Sequence, residues 1–260
     1  MLFRSGRLIA FDQDSDAKAN ALNDARFTLV NQNFRFLKQY LRFLEAVPVD
    51  GILADLGVSS HQFDTAERGF STRFDSKLDM RMNQSAKTDA AQILNTYSQS
   101  RLQQIFSDFG EVRNAKTLAQ AIVAFRSDKK ISTTIELKEA IKDCVFANNE
   151  IQYLAQVFQA LRIEVNDELK ALKEMLMQAT EVLKPGGRLV VLTYHSLEDR
   201  LVKNLISKGN FEGKDEKDFY GNRQGITFKP INKKPLIPEK EELKLNTRSR
   251  SAKLRIAEKI

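Results

Sequence analysis

The chain has 260 residues, 42% hydrophobic and 29% charged, enough to bury one large or two modest cores. No run approaches the ~18 apolar residues of a membrane span, and the first ten residues lack the features of a secretion signal, so a cytoplasmic protein is expected. A single cysteine excludes an intramolecular disulfide, and with only two histidines, His61 and His195, no metal site is expected.

In chain order, an apolar run over 7–11 predicts a buried parallel strand ending in Asp12. A polar helix over 15–24 follows, then a strand over 27–30 and a helix over 34–44 that ends before Pro48. A third strand over 51–57 carries Asp55 near its end. This alternation is that of a doubly wound sheet. It stops from about 66 to 155, where amphipathic stretches predict a helical insertion. Cys144 lies in one of them and reads as a packed core thiol.

Regular α/β character returns with one apolar stripe, Val165, Leu169, Leu172, Leu176, Ala179 and Leu183, which predicts a single long helix. Lys184-Pro185-Gly186-Gly187 stops it, a strand over 188–194 follows, and a helix opens at Ser196. Residues 208–243 read as a long loop and 253–257 as a terminal strand. From 201 to 260 there are 15 Lys/Arg against 8 Asp/Glu, so this segment holds the whole net charge of +7. An anionic partner is expected, nucleic acid foremost, with a solvated basic tail as the alternative.

Ligands of doubly wound sheets bind at the carboxyl ends of the strands. Asp12 stands at such an end, where a carboxylate can accept both hydroxyl hydrogens of an adenosine ribose. A surface turn acid is its alternative. Asp55 stands at another, suited to an adenine amine or a substrate amine, or simply to its own loop backbone. Ser196 has the S-x-x-D spacing of a helix N-cap. His195 lies where strand meets helix on the ligand edge, and either faces the ligand or bonds the turn. The glycine-rich loop that precedes the ribose acid in nucleotide-binding α/β folds has no room in the eleven residues before Asp12.

Taken together, Phe11-Asp12-Gln13-Asp14, residues 50–60, Ala66-Glu67-Arg68-Gly69-Phe70-Ser71, Leu78-Asp79-Met80-Arg81-Met82, Phe158-Gln159-Ala160-Leu161-Arg162, His195-Ser196-Leu197-Glu198-Asp199-Arg200 and the arginine-rich end from Arg248 resemble the bacterial 16S ribosomal RNA (cytosine-N4) methyltransferases. The likeness spans essentially the whole chain. It implies a Rossmann-like S-adenosylmethionine-dependent methyltransferase core, over 1–65 and 156–260, interrupted by a substrate-recognition helical domain over 66–155. It implies methyl transfer to N4 of a cytidine in the decoding region of the small-subunit RNA. Cofactor contacts fall by position on Asp12 (ribose), Phe34 (adenine), Asp55 and Gln62. His195 and Ser196 are the candidates for shaping the reaction pocket, with no catalytic residue assigned.

Two departures accompany the resemblance. The family's first strand and glycine-rich loop are not found ahead of Asp12, which predicts weak cofactor binding by residues 1–260 alone. The run before Phe158 reads Ile151-Gln152-Tyr153-Leu154-Ala155-Gln156-Val157 instead of a His-Pro-Ala-x-Arg-like sequence. An RNA-binding remnant without catalysis is the rival reading. A dinucleotide-dependent dehydrogenase is another, disfavoured because no pyrophosphate loop or hydride-transfer residue is found. The oligomeric state is left open, a homodimer among the options.

Overall fold

The computed structural model describes residues 6–145, 149–215 and 224–260. The chain divides into two compact units, Met1–Gly57 with Leu169–Ile260, and Val58–Glu168. The first mixes strands and helices, and the second is helical.

The α/β unit starts with β1 (Leu8–Phe11) and β2 (Phe27–Val30), which pair in parallel as a two-stranded sheet. The segment between them, expected as a helix, is a 3₁₀ helix over Ser15–Asn20, capped by Asp14. It buries no residue, so no apolar face extends it into an α-helix. After β2 comes a 3₁₀ turn, Phe34–Phe36, and then α1 (Leu37–Phe43), which buries Leu37 and Leu41. Next is β3 (Val49–Asp55). It pairs in parallel with β4 (Leu183–Thr193), which enters after the insertion.

In the helical unit come α2 (Ser60–Asp64), α3 (Ala90–Thr96), α4 (Gln99–Asp108), α5 (Ala115–Asp128), α6 (Thr134–Ile141) and α7 (Glu150–Asn166). Leu102, Ile105 and Phe106 of α4, and Leu118, Ala119 and Ile122 of α5, show the i, i+3, i+4 spacing of one buried helical face. They pack into a single apolar core that also takes in Cys144. The cysteine is buried and reduced, and burial pushes its thiol up from the ordinary value. Gly69 adopts φ +72, and a Cβ there would lie 2.2 Å from the Lys77 carbonyl oxygen, so only glycine fits that turn.

The stripe from Val165 to Leu183 proves to cross two helices, α7 and then α8 (Glu168–Val182). Asp167, at φ 50, breaks them in the left-handed region, which aspartate tolerates better than most residues. Val165 packs against the helical unit's core, whereas Leu172, Leu176 and Ala179 belong to the core of the α/β unit.

Strand β4 starts five residues earlier than expected. Its register with β3 shifts between Val49 and Gly51, so Lys184–Gly187 loops out without ending the pairing. Gly186 takes φ +76, and a Cβ on Gly187 would meet the Lys184 carbonyl oxygen at 2.8 Å. Then follow α9 (Ser196–Lys208), β5 (Phe228–Pro230), α10 (Lys240–Leu245) and β6 (Lys253–Lys259). Part of the predicted long loop is therefore structured: β5 pairs antiparallel with β6, and α10 precedes it. Residues 216–223 of that loop lie outside the described residues.

The larger sheet has the order β3-β4-β6-β5, and β1-β2 stands as a separate sheet. A single doubly wound sheet was the expectation; among the described residues no strand joins β1 to β3. Leu53 of β3 is 74% exposed, far from the near-complete burial usual for a parallel strand. Among the described residues no helix is long and apolar enough to cross a membrane.

Candidate active site

Asp12 directly follows β1. Its backbone N–H donates to the Val30 carbonyl of β2, and its Oδ1 accepts the Asp14 N–H at 2.8 Å. Asn31, just past β2, donates from its amide to the carbonyls of Asp12 (2.9 Å) and Asp14 (3.1 Å). Asn33 donates to the Gln13 side chain at 2.9 Å. The loops leaving β1 and β2 are thus tied together by short polar side chains, and the Asp12 side chain stays exposed. Phe34 opens the 3₁₀ turn after β2 and packs, half-buried, against the α/β core. A carboxylate and an aromatic ring at neighbouring strand exits suit the ribose and adenine of an adenosine ligand.

Asp55 ends β3 and lies opposite Leu192 in the parallel register with β4. Two residues beyond Leu192, Tyr194 donates its hydroxyl to Asp55 Oδ1 at 2.9 Å. Burial, followed by this bond to a carboxylate, pushes the Tyr194 phenol well above its ordinary range, so it remains a proton donor throughout the neutral range. Leu56 continues the ladder to the Leu192 carbonyl, and Gly57 then turns the chain at φ +88.

The exit of β4 is organised by acids that start α9. Glu198 is buried, and its Oε2 accepts the backbone N–H of Tyr194 at 2.9 Å and of His195 at 3.4 Å. Its Oε1 lies 3.2 Å from His195 Nε2. The helix cap therefore sits at His195, one residue earlier than the S-x-x-D spacing indicates, and Ser196 is the first helical residue. His195 is sheltered at this corner. Asp199, also buried, receives a two-pronged contact from Arg255 of β6, at 2.6 and 3.1 Å. Burial alone would raise the Asp199 carboxyl. The Arg255 guanidinium overrides that, Lys253 adds to it, and the group sits below its usual range.

Gln62 belongs to the helical unit. It is buried and closes a capping box on α2: Ser59 N–H donates to Gln62 Oε1 at 3.0 Å, and Gln62 N–H donates to Ser59 Oγ at 3.2 Å. The structure thus joins Asp55 to the 194–198 corner, keeps Asp12 and Phe34 at the exits of the separate β1-β2 sheet, and gives Gln62 a local capping role. Tyr194 and the full role of Glu198 were not singled out from sequence. For Glu198 the H-x-x-E spacing of a capping box was the available signal. For Tyr194 there was none, because its contact depends on a register between residues 139 positions apart.

A two-stranded parallel sheet, a mixed four-stranded sheet and a helical insertion define an α/β protein with an inserted helical unit. Residues 2–260 match the MraW methylase family, and the chain belongs to that family. It is 57% identical over 256 residues to the ribosomal RNA small subunit methyltransferase H of Flavobacterium johnsoniae, covering 98% of this chain and 84% of that one. The protein of the same name from Bacteroides fragilis is 58% identical over 254 residues, with 98% and 83% covered. That from Christiangramia forsetii is 53% identical over 255 residues.

Proposed function

We propose that this protein methylates N4 of a cytidine in the decoding region of 16S ribosomal RNA, with S-adenosylmethionine as donor and in the cytoplasm. The observation that carries the reading is the family match along 2–260, with relatives above 50% identity bearing the small-subunit RNA methyltransferase name.

The residues at the strand exits suit the cofactor's adenosine half in chemistry: in this reading Asp12 accepts the ribose hydroxyls and Phe34 flanks the adenine. When bound, S-adenosylmethionine would supply an electrophilic methyl group carried on a sulfonium sulfur. The amine is a weak nucleophile because its lone pair is conjugated with the ring. Asp55 helps by accepting an amine hydrogen, which draws the lone pair out of conjugation and holds the nitrogen in line. His195 and Ser196 shape the wall beside Asp55. The base must be unpaired or flipped to enter. Lys and Arg side chains of the last sixty residues grip the surrounding phosphates, and the helical unit serves substrate recognition.

The test is transfer of labelled methyl from S-adenosylmethionine to small ribosomal subunits, followed by nucleoside mass spectrometry. N4-methylation of cytidine at one decoding-region position is expected. RNA binding with no transfer would establish the remnant reading instead.

A further inference from the structure

We infer that Tyr194 is a positioning residue for Asp55, holding one carboxylate oxygen so that the other is presented to an amine N–H of the ligand. The inference rests on the proposed methyl transfer and assigns a role to a side chain outside the motif residues.

Tyr194 is fixed along its whole length. Its backbone N–H is held by the buried Glu198 carboxylate at 2.9 Å. Its ring lies along the turn that follows Asp55: a Cβ built on Gly57 would sit 3.6 Å from the Tyr194 Cδ2. Its hydroxyl ends on Asp55 Oδ1 at 2.9 Å. A phenol has only two side-chain torsions, so a ring anchored this way aims its hydroxyl with little freedom. Asp55 itself is exposed at a strand end, where an aspartate would otherwise sample several rotamers or bond its own loop.

The second carboxylate oxygen, Oδ2, has no hydrogen-bond partner among the described residues. A carboxylate with one oxygen engaged by an O–H and the other open accepts hydrogen bonds only. It therefore favours an exocyclic amine over a carbonyl at the same place, which separates cytosine from uracil. Because the phenol stays protonated, the donor never becomes an anion facing the carboxylate.

The experiment is Tyr194→Phe, which keeps the ring and removes only the hydroxyl. The expected result is a fall in kcat of about tenfold, as for a slightly misplaced reacting group, with KM for the subunit within twofold and an unchanged melting temperature. In protein labelled at the tyrosine ζ-carbon, the Tyr194 resonance should move in Asp55→Ala. A kcat within twofold of the unaltered enzyme, a loss confined to KM, or an unmoved resonance would each overturn the inference. If the unaltered protein transfers no methyl group to the subunit, the functional reading falls and this inference with it. Transfer that ignores Tyr194→Phe removes this inference alone.

Discussion

The exits of β1 and of the β3-β4 pair both bring acids close behind apolar strands, and they are built differently. At the β1 exit, Asp12 and Asp14 bond backbone N–H groups within their own loop, and Asn31 ties that loop to its neighbour through two carbonyls. At the β4 exit, side chains of β3, α9 and β6 meet the residues that follow β4: Asp55 bonds Tyr194, Glu198 bonds the backbone of 194 and 195, and Asp199 bonds Arg255. The first arrangement leaves a carboxylate exposed and adaptable. The second takes Glu198, Asp199 and Arg255 out of water and makes the buried charges interdependent. An acid near a strand end thus says nothing about how firmly it is held.

The largest effect that can break this contrast is at Asp199. Asp199→Asn leaves the Arg255 guanidinium buried without its counter-charge, which costs about 3–5 kcal/mol. The melting temperature should fall by roughly 10 °C, read by calorimetry or circular dichroism. The pair also sets an acid limit. Asp199 has its folded value depressed below the ordinary 3.8, so its stabilisation is present above 3.8 and is lost as pH falls through the depressed folded value. Acid unfolding of Asp199→Asn should lack that component. A variant as stable as the unaltered protein would show that the β4 exit is no more interdependent than the β1 exit.

Next in size is Glu198→Ala. It strips the acceptor from two backbone N–H groups at the start of α9, a loss of about 1–3 kcal/mol. Hydrogen exchange should speed at Tyr194 and His195 while the β1 exit is unaffected. Faster exchange at Asp14 or Asp16 would mean that the two exits are coupled.

The two exits also differ in how much of them the sequence discloses. The strands themselves are legible, since Ile52, Leu189 and Val191 sit in short apolar runs and such runs pack in sheets. Asp12 and Asp55 follow from strand ends. The helix cap is misplaced by one residue because both Ser196–Asp199 and His195–Glu198 satisfy a capping spacing, and only the point where β4 ends chooses between them. The break at Asp167 is hidden because the apolar stripe continues across it, although its halves serve different cores. The Tyr194–Asp55 and Arg255–Asp199 contacts join residues 139 and 56 positions apart. No local pattern encodes these; they come into being with strand register, which depends on the whole sheet.

The smallest stability effect, and the sharpest functional one, belongs to Asp12→Asn. The side chain is exposed and its Oδ1 bond to the Asp14 N–H is one an asparagine oxygen can also make. Stability should therefore change by no more than about 0.5 kcal/mol. On the proposed ribose contact, its amide could not accept from both hydroxyls with two oxygens, so one charge-assisted bond would be lost. At about 1.5–3 kcal/mol, that loss weakens S-adenosylmethionine binding by roughly 10–150-fold. Calorimetric titration of the protein reads the affinity, and thermal melting of the same samples reads the stability. The pairing of a large affinity loss with an unchanged melt is what a ligand-facing acid must give. A surface turn acid would leave both unchanged, and an acid that holds the β1 loop together would move the melt first.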